Sequence, residues 1–124
     1  MNKIKTGHLI FVVDDDFPSY QLIEELFSEQ RVILRHFAEG GELIETIRKG
    51  EIPDLIIMDI QLPGTDGLEI TRQVKSMEPE IPVIAYTSYA MPGDRERCIR
   101  LGCDDYISKP IDVEGFFRTM DNYL

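Results

Sequence analysis

Five polar side chains that could carry out phosphoryl chemistry each lie just past a short apolar run. Apolar runs of this length, separated by helical patterns, are typical of buried parallel strands. In open α/β sheets the ligand site lies outside the carboxyl ends of such strands. We therefore expect the five side chains to converge on one crevice. They are Asp14, Asp15, Asp59, Thr87 and Lys109.

Three carboxylates, a hydroxyl and an ammonium fit Mg²⁺-assisted transfer of a phosphoryl group to an aspartate. Clustered carboxylates repel one another and need a counter-ion, and Mg²⁺ prefers oxygen ligands. A carboxylate can act as the nucleophile and form an acyl phosphate, while the cation, the ammonium and the hydroxyl stabilise the charge of the transferring group. The sequence contains no GxxxxGKS/T phosphate-binding loop, so we expect the phosphoryl donor to be another molecule.

Some of these residues also have a purely structural interpretation. Acidic residues suit the N-terminus of a helix, which accounts well for Asp16, and an isolated Lys109 would be an ordinary surface lysine. This explanation is weaker for Asp14 and Asp15, because a further carboxylate, Asp59, ends another predicted strand in the same way.

The composition is that of an acidic globular protein. The chain has 124 residues, 43% of them hydrophobic, and a formal net charge of −10. We expect one domain over residues 1–124, no nucleic-acid surface, which would need a basic stripe, and no attraction to an anionic membrane. No apolar run approaches the ~18 residues of a membrane span, and the N-terminal MNKIKTG lacks a signal-peptide apolar region. We therefore expect a cytoplasmic protein.

Five strands alternate with five helices along the sequence. The predicted strands are Leu9–Val13, Val32–Phe37, Asp54–Met58, Val83–Tyr86 and Asp105–Ile107. Strands that alternate with helices form right-handed βαβ crossovers. The pattern therefore predicts an α/β fold, a (βα)5 unit with a five-stranded parallel sheet covered on both faces.

The helices are predicted from apolar residues at helical spacing. A short polar helix over roughly residues 93–101 is the fourth of the five and ends at Gly102. The apolar faces of the others are Leu22, Ile23, Leu26 and Phe27 in the first, Leu43, Ile44 and Ile47 in the second, Ile70, Val74 and Met77 in the third, and Val113, Phe116, Phe117 and Met120 in the last.

Four segments, in order along the chain, carry a resemblance to a known family. They are FVVDDD, DLIIMDIQLPGTDGLE, PVIAYTS and DDYISKPI. They resemble the strand-one acidic pair, the phosphorylation-site strand and loop, the strand-four hydroxyl motif and the strand-five lysine-proline motif of the receiver domain of bacterial two-component response regulators. The resemblance implies a flavodoxin-like, doubly wound sheet of order 2-1-3-4-5 and a phosphorylation-dependent signalling switch that is not an enzyme for other substrates.

The resemblance also assigns roles to the carboxylates. It implies that Asp59 accepts the phosphoryl group and that Asp15 and Asp59 ligate Mg²⁺ directly, with Asp14 helping through water. It adds the backbone carbonyl of Gln61 as a third protein ligand.

The same resemblance implies a conformational switch. Thr87 and Lys109 would contact the phosphoryl group, and Tyr106 matches the aromatic residue that turns inward when the threonine moves toward that group. The alternative for Tyr106 is an amphipathic strand tyrosine with its hydroxyl in water. The bond between Lys109 and Pro110 resembles one that is often cis in the family.

Two further positions tune the lifetime of the acyl phosphate in such domains. They are Gln61, the second residue after the acceptor, and Tyr89, the second residue after the threonine. Neither has an acid or base suited to activating an attacking water, and Tyr89 can shield the site. We therefore expect slow self-dephosphorylation.

The resemblance implies protein partners on both sides of the reaction. The phosphoryl donor would be a phosphohistidine on a histidine kinase or a histidine phosphotransfer protein. The segment SYAMPGDRERCIRLGCDDYISKPI looks especially like receivers of hybrid histidine kinases and single-domain regulators. A downstream protein would bind the face of the fourth helix, fifth strand and fifth helix, where Arg95, Arg97, Arg100 and Tyr106 lie.

Two other functions are compatible with parts of the pattern. A haloacid-dehalogenase-type phosphohydrolase also has a D-x-D motif after its first strand, and Asp14 and Asp16 fit that spacing, but Pro18 replaces the usual threonine or valine and the chain leaves no room for a cap domain. A degenerate, unphosphorylated interaction module is the second alternative. It is disfavoured because all five crevice residues are present.

Overall fold

The computed structural model describes residues 7–62, 64–88 and 92–124. Its strands are β1 (His8–Val13), β2 (Val32–Phe37), β3 (Leu55–Asp59), β4 (Gln61–Leu62), β5 (Thr65–Asp66), β6 (Val83–Thr87) and β7 (Asp105–Ser108). Five of them form one parallel sheet in the order β2-β1-β3-β6-β7. The short strands β4 and β5 pair antiparallel in a ribbon that the sequence does not predict. Within the sheet, the predicted order 2-1-3-4-5 is confirmed.

Helices cover both faces of the sheet, as expected for a doubly wound fold. They are α1 (Phe17–Leu26), α2 (Gly40–Arg48), α3 (Gly67–Met77), α4 (Asp94–Arg100) and α5 (Val113–Tyr123). Within the described part of the chain, none of these helices is long and apolar enough to cross a bilayer.

Side chains that alternate along the strands build a separate core on each face. Ile57 and Ile84 point to the face covered by α1 and α5 and pack with Phe116. Ile56 and Met58 point to the opposite face, in a cluster with residues of α2, α3 and α4. Because strand side chains alternate in direction, neighbouring residues of one buried strand serve both cores.

Two residues of the predicted helix faces are on the surface instead. Leu22 is 42% exposed and Val113 is 53% exposed. The buried face of α1 is formed by Tyr20, Ile23 and Phe27, at the i, i+3, i+7 spacing that places residues on one side of a helix, and Leu22 lies beside it. Val113 is the first residue of α5, where the helix has not yet reached the core.

Candidate functional site

The predicted carboxylates come together at the carboxyl edge of the sheet. Asp14 directly follows β1, and Asp59 is the last residue of β3. Ligand oxygens of Asp14, Asp15 and Asp59 all lie within 4.8 Å of one another. Asp14 and Asp59 are buried, whereas Asp15 is exposed. The convergence expected from the apolar runs is therefore confirmed for these three side chains.

Lys109 brings a positive charge to this cluster from the end of β7. Its Nζ lies 3.5 Å from Oδ2 of Asp14 and 3.8 Å from Oδ2 of Asp59. The lysine side chain is only 19% exposed, so water screens these attractions less than it would on the surface. Among the described residues, one ammonium faces three carboxylates, so the pocket has an excess of negative charge that favours a bound cation.

Asp14 is the most constrained of the three carboxylates. Its side chain is fully buried, and its Oδ1 accepts a hydrogen bond of 2.8 Å from the backbone N–H of Asp16. Burial raises the pKa of Asp14 to about 6, against the lowering effects of the Asp16 N–H and of Lys109; the charge of Asp59 raises it further. Ionisation of Asp14 in the metal-free pocket is therefore less favourable than that of an ordinary aspartate.

The Asp59 carboxylate is oriented by the backbone that directly follows it. Its Oδ1 accepts a hydrogen bond of 2.9 Å from the backbone N–H of Gln61, which leaves Oδ2 toward Lys109. Gly67, the first residue of α3, lies directly against the backbone here: a Cβ at this position would touch the carbonyl oxygen of Asp59 and come within 2.6 Å of Cα of Ile60. Only glycine allows α3 to begin so close to the end of β3.

Thr87 ends the strand next to Asp59. β3 and β6 pair in parallel with Asp59 opposite Tyr86, one residue before Thr87. The threonine is fully buried and, together with Gln61 and Asp66, lines a groove of about 350 Å³.

Of the two positions predicted to tune the lifetime of the acyl phosphate, the structure describes only Gln61. Gln61 is exposed in the ribbon after β3, and its side-chain Oε1 accepts a hydrogen bond from the hydroxyl of Ser88 at 3.4 Å. Tyr89 lies outside the described residues.

Tyr106 points inward from β7. Its hydroxyl oxygen is buried and has no hydrogen-bond partner among the described residues. Burial raises the pKa of this tyrosine, and the negative charge of Asp94 adds to the effect. The alternative in which the hydroxyl sits in water is therefore wrong for this structure. The peptide bond between Lys109 and Pro110 is cis, as the resemblance suggested.

The arginines of the predicted partner face make local ion pairs. Arg95 pairs with Asp105 at 3.2 Å, and Arg97 with Asp94 at 3.9 Å. Arg100 is exposed near the end of α4. Exposed ion pairs of this kind contribute little to stability. The side chains of Arg95 and Arg97 are 59% and 49% exposed, so they are accessible to other molecules.

Sequence reasoning missed His36, which reaches the site from β2. Its Nε2 lies 2.6 Å from the backbone carbonyl oxygen of Asp14, and its ring stacks on Tyr20 with 4.3 Å between centroids. A signal for this contact was present: in the order 2-1-3-4-5, the end of the second strand lies beside the end of the first, so a polar residue there is close to the acidic pair.

The donor set fits a hard divalent cation such as Mg²⁺. All three groups offer carboxylate oxygens, one of them exposed to solvent, as Mg²⁺ prefers. Asp16 does not belong to this set. Its carboxylate caps α1 by accepting hydrogen bonds from the backbone N–H and the hydroxyl of Ser19. This disfavours the phosphohydrolase alternative, which needs Asp14 and Asp16 in the same site.

Comparison with known proteins agrees with this geometry. Residues 10–120 match the response regulator receiver domain model. The chain is 41% identical over 117 residues to the polar-differentiation response regulator DivK of Brucella ovis, covering 93% of this chain and 94% of that protein.

Solved structures show the same fold. The receiver domain of the sensor histidine kinase PA1611 of Pseudomonas aeruginosa, which has a magnesium ion coordinated in its active-site cleft, superposes with a TM-score of 0.83 at 29% identity, covering 95% of this chain and 98% of that one. The Ssk1 receiver domain of Saccharomyces cerevisiae, in complex with the histidine phosphotransfer protein Ypd1, superposes with a TM-score of 0.84, covering 98% and 91% of the two chains. At 20% identity, the second likeness concerns the fold alone.

The chain therefore belongs to the response regulator receiver domain family. It is a phosphorylation-dependent signalling switch of a two-component system, and neither the phosphohydrolase nor the degenerate module is favoured.

Proposed function

We propose that Asp59 accepts a phosphoryl group from a phosphohistidine, with Mg²⁺ as the cofactor. The observation that carries the proposal is the position of the Asp59 carboxylate, which lies with Asp14 and Asp15 within one 4.8 Å cluster and 3.8 Å from the ammonium of Lys109. Among the three carboxylates, Asp14 is fully buried and its pKa is raised to about 6. Asp59 is the carboxylate best placed to react, because it ends β3 next to β6, the strand that carries Thr87.

The same arrangement supports different ligand roles for the residues around the cation. Asp15 and Asp59 would hold Mg²⁺ directly, Asp14 through water, and Gln61 through its backbone carbonyl. Bound Mg²⁺ supplies positive charge that neutralises the oxygens of the transferring phosphoryl group. The chain's own contribution is to hold these oxygens together before the donor arrives.

The roles of the protein side chains in the transfer follow from their positions. An oxygen of Asp59 attacks phosphorus, and the bond from phosphorus to the donor imidazole breaks. The ammonium of Lys109 forms an ion pair with a phosphoryl oxygen, and its ion pairs with Asp14 and Asp59 weaken. Thr87 donates a hydrogen bond from its hydroxyl to another of these oxygens. Tyr106, whose hydroxyl is already buried in this structure, keeps its inward position. The new charge thereby biases a two-state arrangement of the loop and helix that follow β6.

Receiver domains act together with histidine kinases or phosphotransfer proteins, as in the complex of Ypd1 with Ssk1. For this chain we place the downstream protein on α4, β7 and α5, the face that carries Arg95, Arg97, Arg100 and Tyr106. Exposed Ile99 and Leu101 add apolar area to it, as a protein interface needs. We also propose that residues 1–124 form one receiver unit and that the protein works in the cytoplasm.

Self-dephosphorylation is expected to be slow because neither Gln61 nor Tyr89 can activate a water molecule. Tyr89→Glu would introduce a carboxylate at one of these positions. The half-life of the acyl phosphate, measured by intact-protein mass after removal of the donor, should shorten in this variant. An unchanged half-life would count against shielding by Tyr89.

The direct test of the proposed function is the intact mass after incubation with acetyl phosphate and Mg²⁺. We expect one added phosphoryl group in the wild-type protein and none in Asp59→Asn or in samples treated with EDTA. Mg²⁺ at millimolar concentration should also raise the melting temperature, because it binds only the assembled cluster. An adduct that persists in Asp59→Asn would show that another residue is the acceptor.

A further inference from the structure

The imidazole of His36 fastens the acidic turn after β1 to the end of β2. Its Nε2 lies 2.6 Å from the carbonyl oxygen of Asp14. A carbonyl oxygen only accepts, so Nε2 carries the hydrogen. The backbone N–H of Asp14 donates in turn to the carbonyl of Phe37 at 2.9 Å. Both backbone polar groups of Asp14 are therefore bound to neighbouring residues of one strand end.

This contact controls more than one residue of the site. The carbonyl of Asp14 belongs to the planar peptide group that joins Asp14 to Asp15. Fixing the direction of the carbonyl fixes this plane, and with it the direction in which Asp15 leaves the strand. A single hydrogen bond from His36 thus orients the link between two of the three carboxylates.

The His36 ring is itself held in place. It stacks on Tyr20 with 4.3 Å between centroids and 9° between planes, and the ring of Phe17 lies 6.0 Å away. Tyr20 is in α1, the helix that begins just after the acidic turn, and it is buried. The imidazole therefore lies between the strand before the turn and the helix after it, with little freedom to rotate away.

We propose that His36 is a positioning residue for the metal site: its Nε2–H holds the Asp14–Asp15 peptide so that the three carboxylates converge. The inference rests on the proposed function in one respect, that these carboxylates bind Mg²⁺. Mutual repulsion tends to separate them in the metal-free protein. A turn already fastened in the binding arrangement loses less freedom when the cation binds, which strengthens binding.

Two substitutions separate the hydrogen bond from the stacking. His36→Phe keeps an aromatic ring against Tyr20 and removes the donor, whereas His36→Gln removes the ring and keeps an N–H at a similar reach. The dissociation constant of Mg²⁺ is measured by calorimetry on the full chain at one pH. We expect His36→Phe to weaken binding about five- to tenfold, because ordering the unfastened turn would then oppose cation binding. His36→Gln should stay within about twofold.

A second measurement keeps the inference testable if packing is disturbed. The amide ¹H–¹⁵N resonance of Asp15, which belongs to the same peptide group as the Asp14 carbonyl, should shift in metal-free His36→Phe and much less in His36→Gln. The melting temperature in EDTA reports any general loss of stability.

The outcomes distinguish the two proposals. Wild-type affinity in both variants would overturn the role of His36 and leave the proposed function intact. Equal weakening in both variants would assign the effect to packing and overturn the role of the donor. A wild-type protein that binds no Mg²⁺ would overturn the proposed function and this inference with it.

Discussion

The ammonium of Lys109 lies over the ring of Tyr86, with 4.3 Å between the nitrogen and the ring centroid. Tyr86 is buried, and burial together with the charges of Asp14 and Asp59 raises its pKa to about 12. The ring therefore stays neutral and attracts the cation through its face. Tyr86, Asp14 and Asp59 together hold the ammonium of Lys109 in the site.

Removing this ring should slow phosphorylation. The attraction of an aromatic face for a cation is about 0.5–1 kcal/mol or more when desolvated, so Tyr86→Leu should accept phosphate about two- to fivefold more slowly. Tyr86→Phe keeps the ring and should stay close to wild type. The rate of adduct formation from acetyl phosphate, followed by intact mass, measures the effect. Equal slowing in both variants would point to the hydroxyl rather than the ring.

Gly67→Ala should damage both the fold and the site. The added Cβ would press on backbone atoms of Asp59 and Ile60, which cannot move without shifting the carboxylate. We expect a loss of about 1–3 kcal/mol in the free energy of unfolding, as for overpacked positions, and weaker Mg²⁺ binding.

Gly41→Ala is the matched control for this substitution. Gly41 lies in α2, and a Cβ there meets nothing within 4 Å. Alanine should raise the free energy of unfolding by up to about 0.5 kcal/mol, because Gly41 is the second residue of α2 and gains only part of the helix-interior propensity difference. Urea unfolding of both variants tests the pair. Equal stabilities would show that the end of β3 can adapt to a side chain at position 67.

The main features of the fold could be predicted because they depend on patterns within single elements. Buried parallel strands need continuous apolar runs, and these runs fixed both the sheet and the edge where Asp14 and Asp59 meet. Leu22 and Val113 were misplaced for a physical reason: helical spacing identifies a stripe, whereas its edges depend on where the helix lies over the sheet.

Contacts between side chains of different elements could not be predicted in the same way. His36 bonds to the Asp14 carbonyl, and Lys109 packs on Tyr86, only because the sheet brings these elements together. Periodicity assigns Tyr86 simply to a buried strand. Its position under an ammonium depends on the path of the segment after β7, which the sequence pattern does not define.

Tyr106→Phe should stabilise the protein. The tyrosine hydroxyl is buried without a hydrogen-bond partner among the described residues, and such a group lowers stability by about 1–3 kcal/mol relative to an apolar replacement of the same shape. We expect the free energy of unfolding to rise by about 1 kcal/mol, as measured in urea. A loss of stability would indicate that the hydroxyl is bonded in solution.

Asp14 should make the metal-free protein less stable as the pH rises. Its pKa increases from 3.8 to about 6 on folding, so between these values the folded state keeps a proton that the unfolded state has lost. The free energy of unfolding therefore falls across this range, by about 3 kcal/mol from this group. Asp14→Asn removes the effect. In urea unfolding with EDTA, the stability of the variant relative to wild type should increase from pH 4 to pH 7. A constant difference would mean that Asp14 ionises normally in the folded protein.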